Sequence, residues 1–534
     1  MPASDASATD PASGSDAANG TPDAGPAPAA ADSVAPDGDD PAATARPPRP
    51  LRAATVAVVV GFAASRVAYA LAGVRFRWEH AVAYHQFIDG QALRHDLGRS
   101  LWYDHTQPPG LNLLWGLALR LSPDHPDRVL GPVFLACGLA TAVVLLRLLA
   151  RLGCRPRVAA ALALAWVASP TAVLVETYFL YTPFEVLGLA GIALLVARWA
   201  DRGRAVDLAG ALAVAATLAL TRSTFHLVWI VGLVALAAVA RRHRWRTVAL
   251  VGLVPVLLVG GWYTKNLVLF DQWGASSWVG VSLSRITVEQ LPPAERARLV
   301  ADGTLSPYAA HPSFQSFEDM GIAPPGRAGP GRGVPVLDER ERAEGGFANL
   351  HHRDYLTVNE AALDDATWVV RHRPGTYAAG VGRSTSTTFT ASSGWFGYRS
   401  NGAEVAGAVA VERAVLGAWE EPPPVYGDRR GARVGQVEWV VVAAYLLVLA
   451  GVAAVLVRRR WWRARDGAHA AVAFLWGTTV YLTGLTLLIE YGETNRFRTV
   501  TDMSVLVMGA WLVVQARARW RVRPDRAAAV AEVP

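Results

Sequence analysis

Apolar segments of membrane-spanning length recur along this chain and constrain its fold more than any other feature. They lie at about residues 53–73, 128–150, 158–176, 180–198, 206–221, 225–240, 248–268, 437–457, 468–489 and 501–516. A helix needs about 20 mostly apolar residues to cross the roughly 30 Å hydrocarbon core of a bilayer. A soluble protein would have to hide all of these helices in one core, so the sequence predicts an all-α, polytopic transmembrane helix bundle with about ten spans.

Arginine placement predicts the orientation of these spans. The clusters fall at residues 46–52, 147–157, 198–204, 241–246, 458–460 and 517–523. Cytoplasmic loops carry an excess of basic residues, so all the clusters face the cytoplasm if the N-terminus is inside, and both termini are then cytoplasmic. This count holds only if residues 110–121, too short to span, form a juxtamembrane or re-entrant helix.

The same pattern divides the chain into parts. We expect a disordered cytoplasmic tail at residues 1–50, because Ala, Pro, Asp, Gly and Ser offer little apolar surface to bury. The remaining parts are a bundle at 51–270 with an outer loop at 74–127, a large extracytoplasmic loop or domain at 271–436, a second bundle segment at 437–516, and a cytoplasmic tail at 517–534. Within the large loop, the sequence predicts a flexible stretch at residues 324–333 and a helix at residues 357–371. No known module is evident in this loop.

Composition narrows the function classes. The net charge is +7, yet the arginines are dispersed between apolar blocks, so nucleic acid is not an expected partner. Lys265 is the only lysine, and Ala, Gly and Val abound, which is typical of a GC-rich bacterial genome and favours the bacterial plasma membrane.

Cys137 and Cys154 suggest neither a disulfide nor a metal site, and motifs of metalloproteases, ATPases, redox proteins and hydrolases are missing. We expect no metal and no cofactor.

The first outer loop carries carboxylates close to apolar residues. Asp89 follows Ile88, and on a helix it would lie beside an apolar face, where it could accept a proton from an incoming hydroxyl. A solvated loop aspartate is the alternative interpretation. The rival acids in this loop are Glu79, Asp96 and Asp104.

A histidine and a glutamine precede two prolines in the same loop. His105 and Gln107 stand directly before Pro108 and Pro109, which force an extended approach to the next helix. The histidine could position or protonate a leaving phosphate, or it could cap a helix. Both interpretations stay open.

A late motif, Glu493-Thr494-Asn495-Arg496-Phe497-Arg498, places two arginines at the predicted outer surface, against the general trend. Arginine binds phosphate through two parallel hydrogen bonds and stays charged. A lipid-phosphate site is therefore one interpretation, in which Glu493 and Asn495 assist. An ordinary contact with lipid head groups is the other.

Two further polar pairs stand at predicted outer helix ends. They are Arg222 with His226, and Lys265 with Asn266. Charged groups at such ends usually face the bundle interior or a cavity, so both pairs could bind an anionic donor. Placement in the membrane interface, with long side chains reaching for water, explains them equally well.

Together these residues resemble the GT-C superfamily of integral-membrane glycosyltransferases, most of all the branch of protein O-mannosyltransferases and aminoarabinose lipid A transferases. Members carry an acidic residue in the first outer loop and then a His-x-Pro-Pro-like turn into a Leu-rich helix. Asp89 followed by residues 105–114 is similar to that pattern, and residues 493–498 are similar to a late basic, aromatic motif. The usual paired acids are not evident at the loop start, where Glu79 stands, so the base stays open between Asp89 and Glu79.

The resemblance implies transfer of a hexose or pentose from a polyprenyl-phosphate donor to an extracytoplasmic hydroxyl on a glycan, lipid or protein. In that scheme Asp89 or Glu79 is the general base, and His105 and Gln107 orient the leaving phosphate. Its charge would be stabilised by Arg496, Arg498, Lys265 and Arg222.

Other function classes also need many spans and buried arginines. One is a lipid or sugar transporter or flippase, although no inverted repeat is evident in the sequence. The other is a non-catalytic membrane assembly protein. A phosphate-sized pocket lined by Asp89 and Arg496 would favour the enzyme, whereas a continuous cavity that reaches the membrane midplane would favour the transporter.

Overall fold

The computed structural model describes residues 49–329, 333–422, 431–458 and 466–531. The chain divides into two units, Met1–Pro48 and Arg49–Pro534. The first unit holds almost all of the predicted disordered tail and lies outside the described residues, as do 330–332 of the predicted flexible stretch and 532–534 of the predicted C-terminal tail. The described residues form helices and no β-strand, which confirms an all-helical bundle.

The first half of the described chain alternates long helices with one loop of short helices. After α1 (Arg49–Leu71) come the short helices α2 (Gly90–His95), α3 (Leu97–Trp102) and α4 (Pro109–Leu121). The next helices are α5 (Asp127–Arg151), α6 (Pro156–Val167), α7 (Pro170–Glu176), α8 (Thr182–Arg202), α9 (Ala205–Ala219), α10 (Leu227–Ala240) and α11 (Trp245–Phe270).

The second half begins with the segment predicted to be a large loop, and this segment is largely helical. It contains α12 (Val279–Ile286), α13 (Pro293–Ala301), α14 (Phe317–Met320), α15 (Pro335–Asp338), α16 (Tyr355–His372), α17 (Pro374–Thr388) and α18 (Gly402–Val415). Three long helices follow, α19 (Trp439–Leu456), α20 (Gly467–Ile489) and α21 (Thr494–Ala531). The helix predicted at 357–371 coincides with α16.

Seven of the described helices are long and apolar enough to cross a bilayer, namely α1, α5, α8, α11, α19, α20 and α21. The pair α6 and α7, bent by 62°, makes an eighth if it is one span, and α9 and α10 are shorter apolar helices. Each predicted apolar segment therefore coincides with a helix or with the bent pair. How many of them cross stays a prediction, as does the orientation of the bundle.

The bundle is organised around α8, which packs against α5, α9, α20 and α21. Trp199 on α8 is fully buried, and its indole N–H donates to the carbonyl oxygen of Ala237 on α10 at 3.1 Å. On the outer surface of the bundle, apolar side chains are exposed. Leu250 on α11 is 71% exposed and Leu447 on α19 is 72% exposed. Apolar outer faces of this kind suit a lipid solvent.

A buried ion pair joins α1, α5 and α7. Arg66 on α1 donates through Nε and Nη2 to the two carboxylate oxygens of Glu176 on α7, each at 2.7 Å. The carboxylate lies directly against Gly138 on α5, where a Cβ atom would stand 1.7 Å from Oε2. Only glycine leaves room for this pair, which we call the Arg66–Glu176 lock.

The segment predicted not to cross the membrane forms α4, which has 13 residues. Pro108 is extended, with φ −61° and ψ 152°, and Pro109 occupies the first helical position, where its missing N–H costs nothing. The N–H of Gly110 donates to the carbonyl oxygen of Leu220 at 2.7 Å. The two prolines thus direct α4 against the end of α9.

Candidate functional site

A cavity of about 1260 Å³ lies between α6, α18, α19 and α21. Along α21 its lining residues repeat with helical period on one face: Arg498, Asp502, Val505, Gly509, Val513 and Arg517. From Arg498 to Arg517 the helix rises about 28 Å. That length matches the roughly 30 Å hydrocarbon core of a bilayer. The cavity is therefore long enough for an extended lipid chain.

The two ends of this cavity differ from its middle. Valine, leucine and alanine side chains of α6, α19 and α21 line the middle. One end holds the exposed arginines Arg155 and Arg517. The other end, which we call the polar end, holds Ser392, Glu412, Glu438, Arg498 and Asp502. An amphiphile with a long apolar tail and a polar head group fits this distribution.

Arg498 organises the polar end. Its Nη2 donates to Glu438 and, at 3.4 Å, to the hydroxyl of Ser392, while its Nε donates to Asp502 Oδ2 at 3.2 Å. Its Nη1 has no hydrogen-bond partner among the described residues. The arginine side chain is 3% exposed, so two carboxylates hold its charge in a buried position. The unpartnered Nη1 is itself buried, so a ligand reaches it only if a neighbouring side chain moves.

Glu412 is the second ionisable group of interest at the polar end. It lies on α18, and its Oε2 accepts the hydroxyl hydrogen of Thr171 at 2.6 Å. Burial raises the pKa of Glu412 to about 7; the hydrogen bond from Thr171 opposes that rise, and the nearby charge of Glu438 adds to it. A carboxyl group that titrates near neutrality in a cavity is suited to exchange protons.

The structure places Arg496 outside this cavity lining, in a cage of aromatic rings. Its guanidinium carbon lies 4.6 Å from the ring centroids of both Trp395 and Phe497. Nη2 donates to Glu493 Oε2 at 2.8 Å and to the hydroxyl of Tyr181 at 3.2 Å. The side chain is fully buried, and Nε and Nη1 have no hydrogen-bond partner among the described residues.

Arg222 shares this cage. It donates Nη1 to both carboxylate oxygens of Glu185, at 2.8 and 2.9 Å, and lies over the rings of Tyr181 and Phe497. The structure thus brings Arg222 together with Arg496, as the phosphate-site prediction requires. Each of these arginines already has a carboxylate partner, so neither is a free cation.

Burial and charge act in opposite directions on Glu493. Burial raises its pKa, but Arg496, Arg285 and His85 together outweigh that effect, and the net pKa is lowered. Glu493 also accepts the hydroxyl hydrogen of Tyr84 at 3.3 Å, which links the late motif to the first loop. Asn495 has a separate role, because its Nδ2 donates to Thr390 Oγ1 and to the carbonyl oxygen of Ala391.

His105 and Lys265 lie in another place, where the first loop meets the 271–436 segment. His105 Nε2 donates to the carbonyl oxygen of His351 at 3.0 Å, and its Nδ1 lies 2.8 Å from the hydroxyl of Ser277. Burial lowers the pKa of His105 to about 3, so the ring is neutral. Lys265 Nζ donates to the carbonyl oxygens of Trp102 and Asp104, each at 3.0 Å. Both side chains are fully engaged within the protein.

Asp104 is the ionised centre of this interface. Its Oδ1 accepts from the N–H and hydroxyl of Thr106, at 2.8 and 2.9 Å, and lies 3.0 Å from His351 Nδ1. Burial raises the pKa of Asp104, but the charge and hydrogen bond of His351 outweigh it and the net pKa is lowered. We call this cluster the Asp104–His351 junction. It joins the first loop to the segment that precedes α16.

The two candidate bases have mainly structural partners. Asp89 precedes α2 as its N-cap, and Oδ1 accepts the backbone N–H of Gln91 and Ala92 at 2.8 and 3.1 Å. Its Oδ2 accepts the N–H of Glu344 at 3.1 Å. Glu79 is exposed and accepts the N–H of Trp78 at 3.0 Å. Neither carboxylate lines the large cavity.

The other predicted site residues are dispersed. His226 caps α10 by accepting the N–H of Val228 at 3.3 Å. Asn266 donates to the carbonyl oxygen of Gly274 at 2.7 Å, and Gln107 is half-buried beside the junction residue Thr106. These three residues do not line the cavity.

Sequence reasoning missed Glu412, Glu438 and Asp502. A usable signal existed for one of them, because Arg498 and Asp502 stand one turn apart at the start of an apolar segment. Charged residues inside a span usually mark a functional position. Glu412 and Glu438 gave no comparable signal, since only the fold brings α18 and the start of α19 beside α21.

The described residues contain no group of three or more His, Cys, Asp or Glu side chains that could hold a metal ion. No family model, no curated protein and no solved structure matches this chain.

Proposed function

We propose that this protein is a membrane glycosyltransferase that moves a sugar from a polyprenyl-phosphate donor to an acceptor hydroxyl. The observation that carries the proposal is the cavity beside α21, apolar over most of a length of about 28 Å and charged at its polar end. A polyprenyl chain would occupy the apolar part, and its phosphosugar head would lie at the polar end. The resemblance to GT-C glycosyltransferases supports the same reaction class.

Arg498 would contact the leaving phosphate in this scheme. Its Nη1 is without a hydrogen-bond partner among the described residues, and arginine matches phosphate geometry. Glu438 and Asp502 already oppose its charge. Phosphate therefore binds best if it replaces one of these carboxylates on the guanidinium. Arg496 and Arg222 are each paired with their own carboxylate and lie outside the cavity lining, so they would not contact the phosphate.

One cavity variant and one control variant test the proposal. Gly509→Trp puts an indole into the cavity, whereas Val56→Trp changes a side chain on α1 that is 63% exposed. A deletion strain complemented with the parent or with Val56→Trp should keep its extracytoplasmic glycans unchanged. The strain with Gly509→Trp should lose one glycan sugar and accumulate the polyprenyl-phosphate form of that sugar. Identical glycans and lipid-linked sugars in the deletion and parent strains would rule out the proposal.

Lipid translocation is a second candidate. The cavity agrees with the expectation for a transporter, because it is long and continuous, and it differs from the pocket expected for the enzyme, because neither Asp89 nor Arg496 lines it. The lining runs from Arg498 at one end to Arg517 at the other, close to the full thickness of a hydrocarbon core. Proteoliposomes with a fluorescent polyprenyl phosphate distinguish the two functions. Movement of the lipid between leaflets, together with unchanged glycans in the deletion strain, would assign the cavity to transport.

A further inference from the structure

The position of Glu412 separates it from the other carboxylates of the polar end. Glu438 and Asp502 are both bound to Arg498, whereas Glu412 has no guanidinium partner among the described residues. The hydroxyl of Thr171 donates to Oε2, and the backbone N–H of Thr171 also acts on the carboxylate. Glu412 lines the cavity, so a bound head group can reach its carboxylate.

The surroundings of Glu412 come from several elements. Tyr69 on α1, Glu438 before α19 and Arg498 on α21 are the ionisable groups that act on it or respond to it. Burial raises its pKa to about 7, the hydroxyl of Thr171 and the charge of Arg498 lower it, and Glu438 raises it further. At neutral pH a large share of Glu412 is thus ionised, while its conjugate acid is easily formed. General bases work best under this condition.

The carboxylates in the first loop are less suited to that task. Both oxygens of Asp89 accept backbone N–H groups, from α2 and from Glu344. These bonds stabilise the ionised form of Asp89 and weaken it as a proton acceptor. Glu79 is exposed, and its environment does not exclude water as a competing acceptor.

We propose that Glu412 is the proton acceptor of the sugar transfer, an inference that rests on the proposed function. The acceptor oxygen forms a bond to C1 of the sugar as its hydrogen moves to Oε1 of Glu412. The bond between C1 and the phosphate oxygen breaks, and its electron pair goes to that oxygen. Polyprenyl phosphate leaves, and the adjacent Arg498 stabilises the charge that develops on it.

The test measures sugar transfer in membranes that carry the full chain. Membranes from the complemented deletion strain supply the acceptor, and the donors are polyprenyl-phosphate-linked mannose, glucose and arabinose, each radiolabelled. Glu412→Gln should lower transfer at least about a hundredfold, the usual contribution of a general base. Glu412→Asp keeps a carboxylate and should retain part of the activity. Glu404→Gln, an exposed position on the same helix, should behave as the parent does.

The pH profile gives a readout that a purely structural role would not produce. The base form is the carboxylate, so the parent should lose activity as pH falls through about 7. Infrared difference spectra of the purified protein should show a carboxyl group that protonates near this pH in the parent and is missing in Glu412→Gln. Binding of polyprenyl phosphate by native mass spectrometry should be unchanged in that variant.

The outcomes separate the two proposals. Full transfer by Glu412→Gln, with loss in Asp89→Asn, would overturn the assignment of Glu412 and leave the glycosyltransferase proposal intact. Absence of the titrating carboxyl group from the parent spectra would also overturn it. If the parent transfers none of the three sugars and the deletion strain has normal glycans, the proposed function fails and the assignment fails with it.

Discussion

Replacing Gly138 by alanine tests how much the Arg66–Glu176 lock contributes to the bundle. The added Cβ would stand 1.7 Å from Glu176 Oε2, and real Cβ contacts are essentially never under 3.0 Å. The carboxylate must therefore retreat by about 1.3 Å, the difference between these distances. Its 2.7 Å hydrogen bond to Arg66 Nη2 would lengthen to as much as about 4.0 Å, which is beyond hydrogen-bond range.

The expected cost follows from these distances. Breaking a buried ion pair costs about 3–5 kcal/mol, because it leaves a charge without compensation. Alanine in place of glycine within a helix stabilises the folded protein by about 0.5–1 kcal/mol. The Gly138→Ala variant should thus be less stable by about 2–4 kcal/mol. The Arg66 and Glu176 side chains are only 12% and 7% exposed, so solvent screening reduces this figure little.

Thermal unfolding of the detergent-solubilised protein, followed by loss of the folded monomer, measures the effect. Gly191→Ala on α8 is the matched control, since its Cβ would meet nothing within 4 Å. Its unfolding temperature should equal or exceed that of the parent. In an Arg66→Met background, Gly138→Ala should cost less, because the pair is already lost. Equal unfolding temperatures for Gly138→Ala and Gly191→Ala would refute the reasoning.

Three further predictions follow. Gly280→Ala would place a Cβ 2.3 Å from the backbone of α16, so limited proteolysis should cut the 271–436 segment faster than in the Gly375→Ala control, where nothing lies within 4 Å. His243→Cys should be labelled only from the cytoplasmic side, and labelling in intact cells would contradict the predicted orientation. Burial lowers the pKa of His85 and His105 to about 3 each. Unfolded histidine titrates near about 6.5, so the unfolding temperature should fall as pH drops below about 6.5, and a flat profile would contradict it.

The helices were predictable because apolar content and length are local properties of the sequence. Each apolar segment coincides with a helix, and 357–371 falls within Tyr355–His372. The last long helix begins earlier than the predicted 501, at Thr494. Arg496 and Arg498 appeared too polar for a span, but Glu493 and Glu438 neutralise them within the protein. Counting charges along the sequence cannot show that pairing.

The site was only partly predictable for the same reason. Residue types in the late motif singled out Arg496 and Arg498, and both are buried. The sequence could not show that they point to different places, one into an aromatic cage and one into the lining of the cavity. Nor could it reveal Glu412, whose partner Thr171 is separated from it by 241 residues.

The Asp104–His351 junction can form only late in the synthesis of the chain. Asp104 and His351 are separated by 247 residues. Ribosomes add about 5–20 residues per second, so about 12–50 s pass between the synthesis of one partner and the synthesis of the other. Throughout that interval the first loop lacks His351, its partner in the junction. A chain that stops before His351 could insert its early helices, yet Asp104 and His105 would stay open to water and to proteases until the missing segment was supplied.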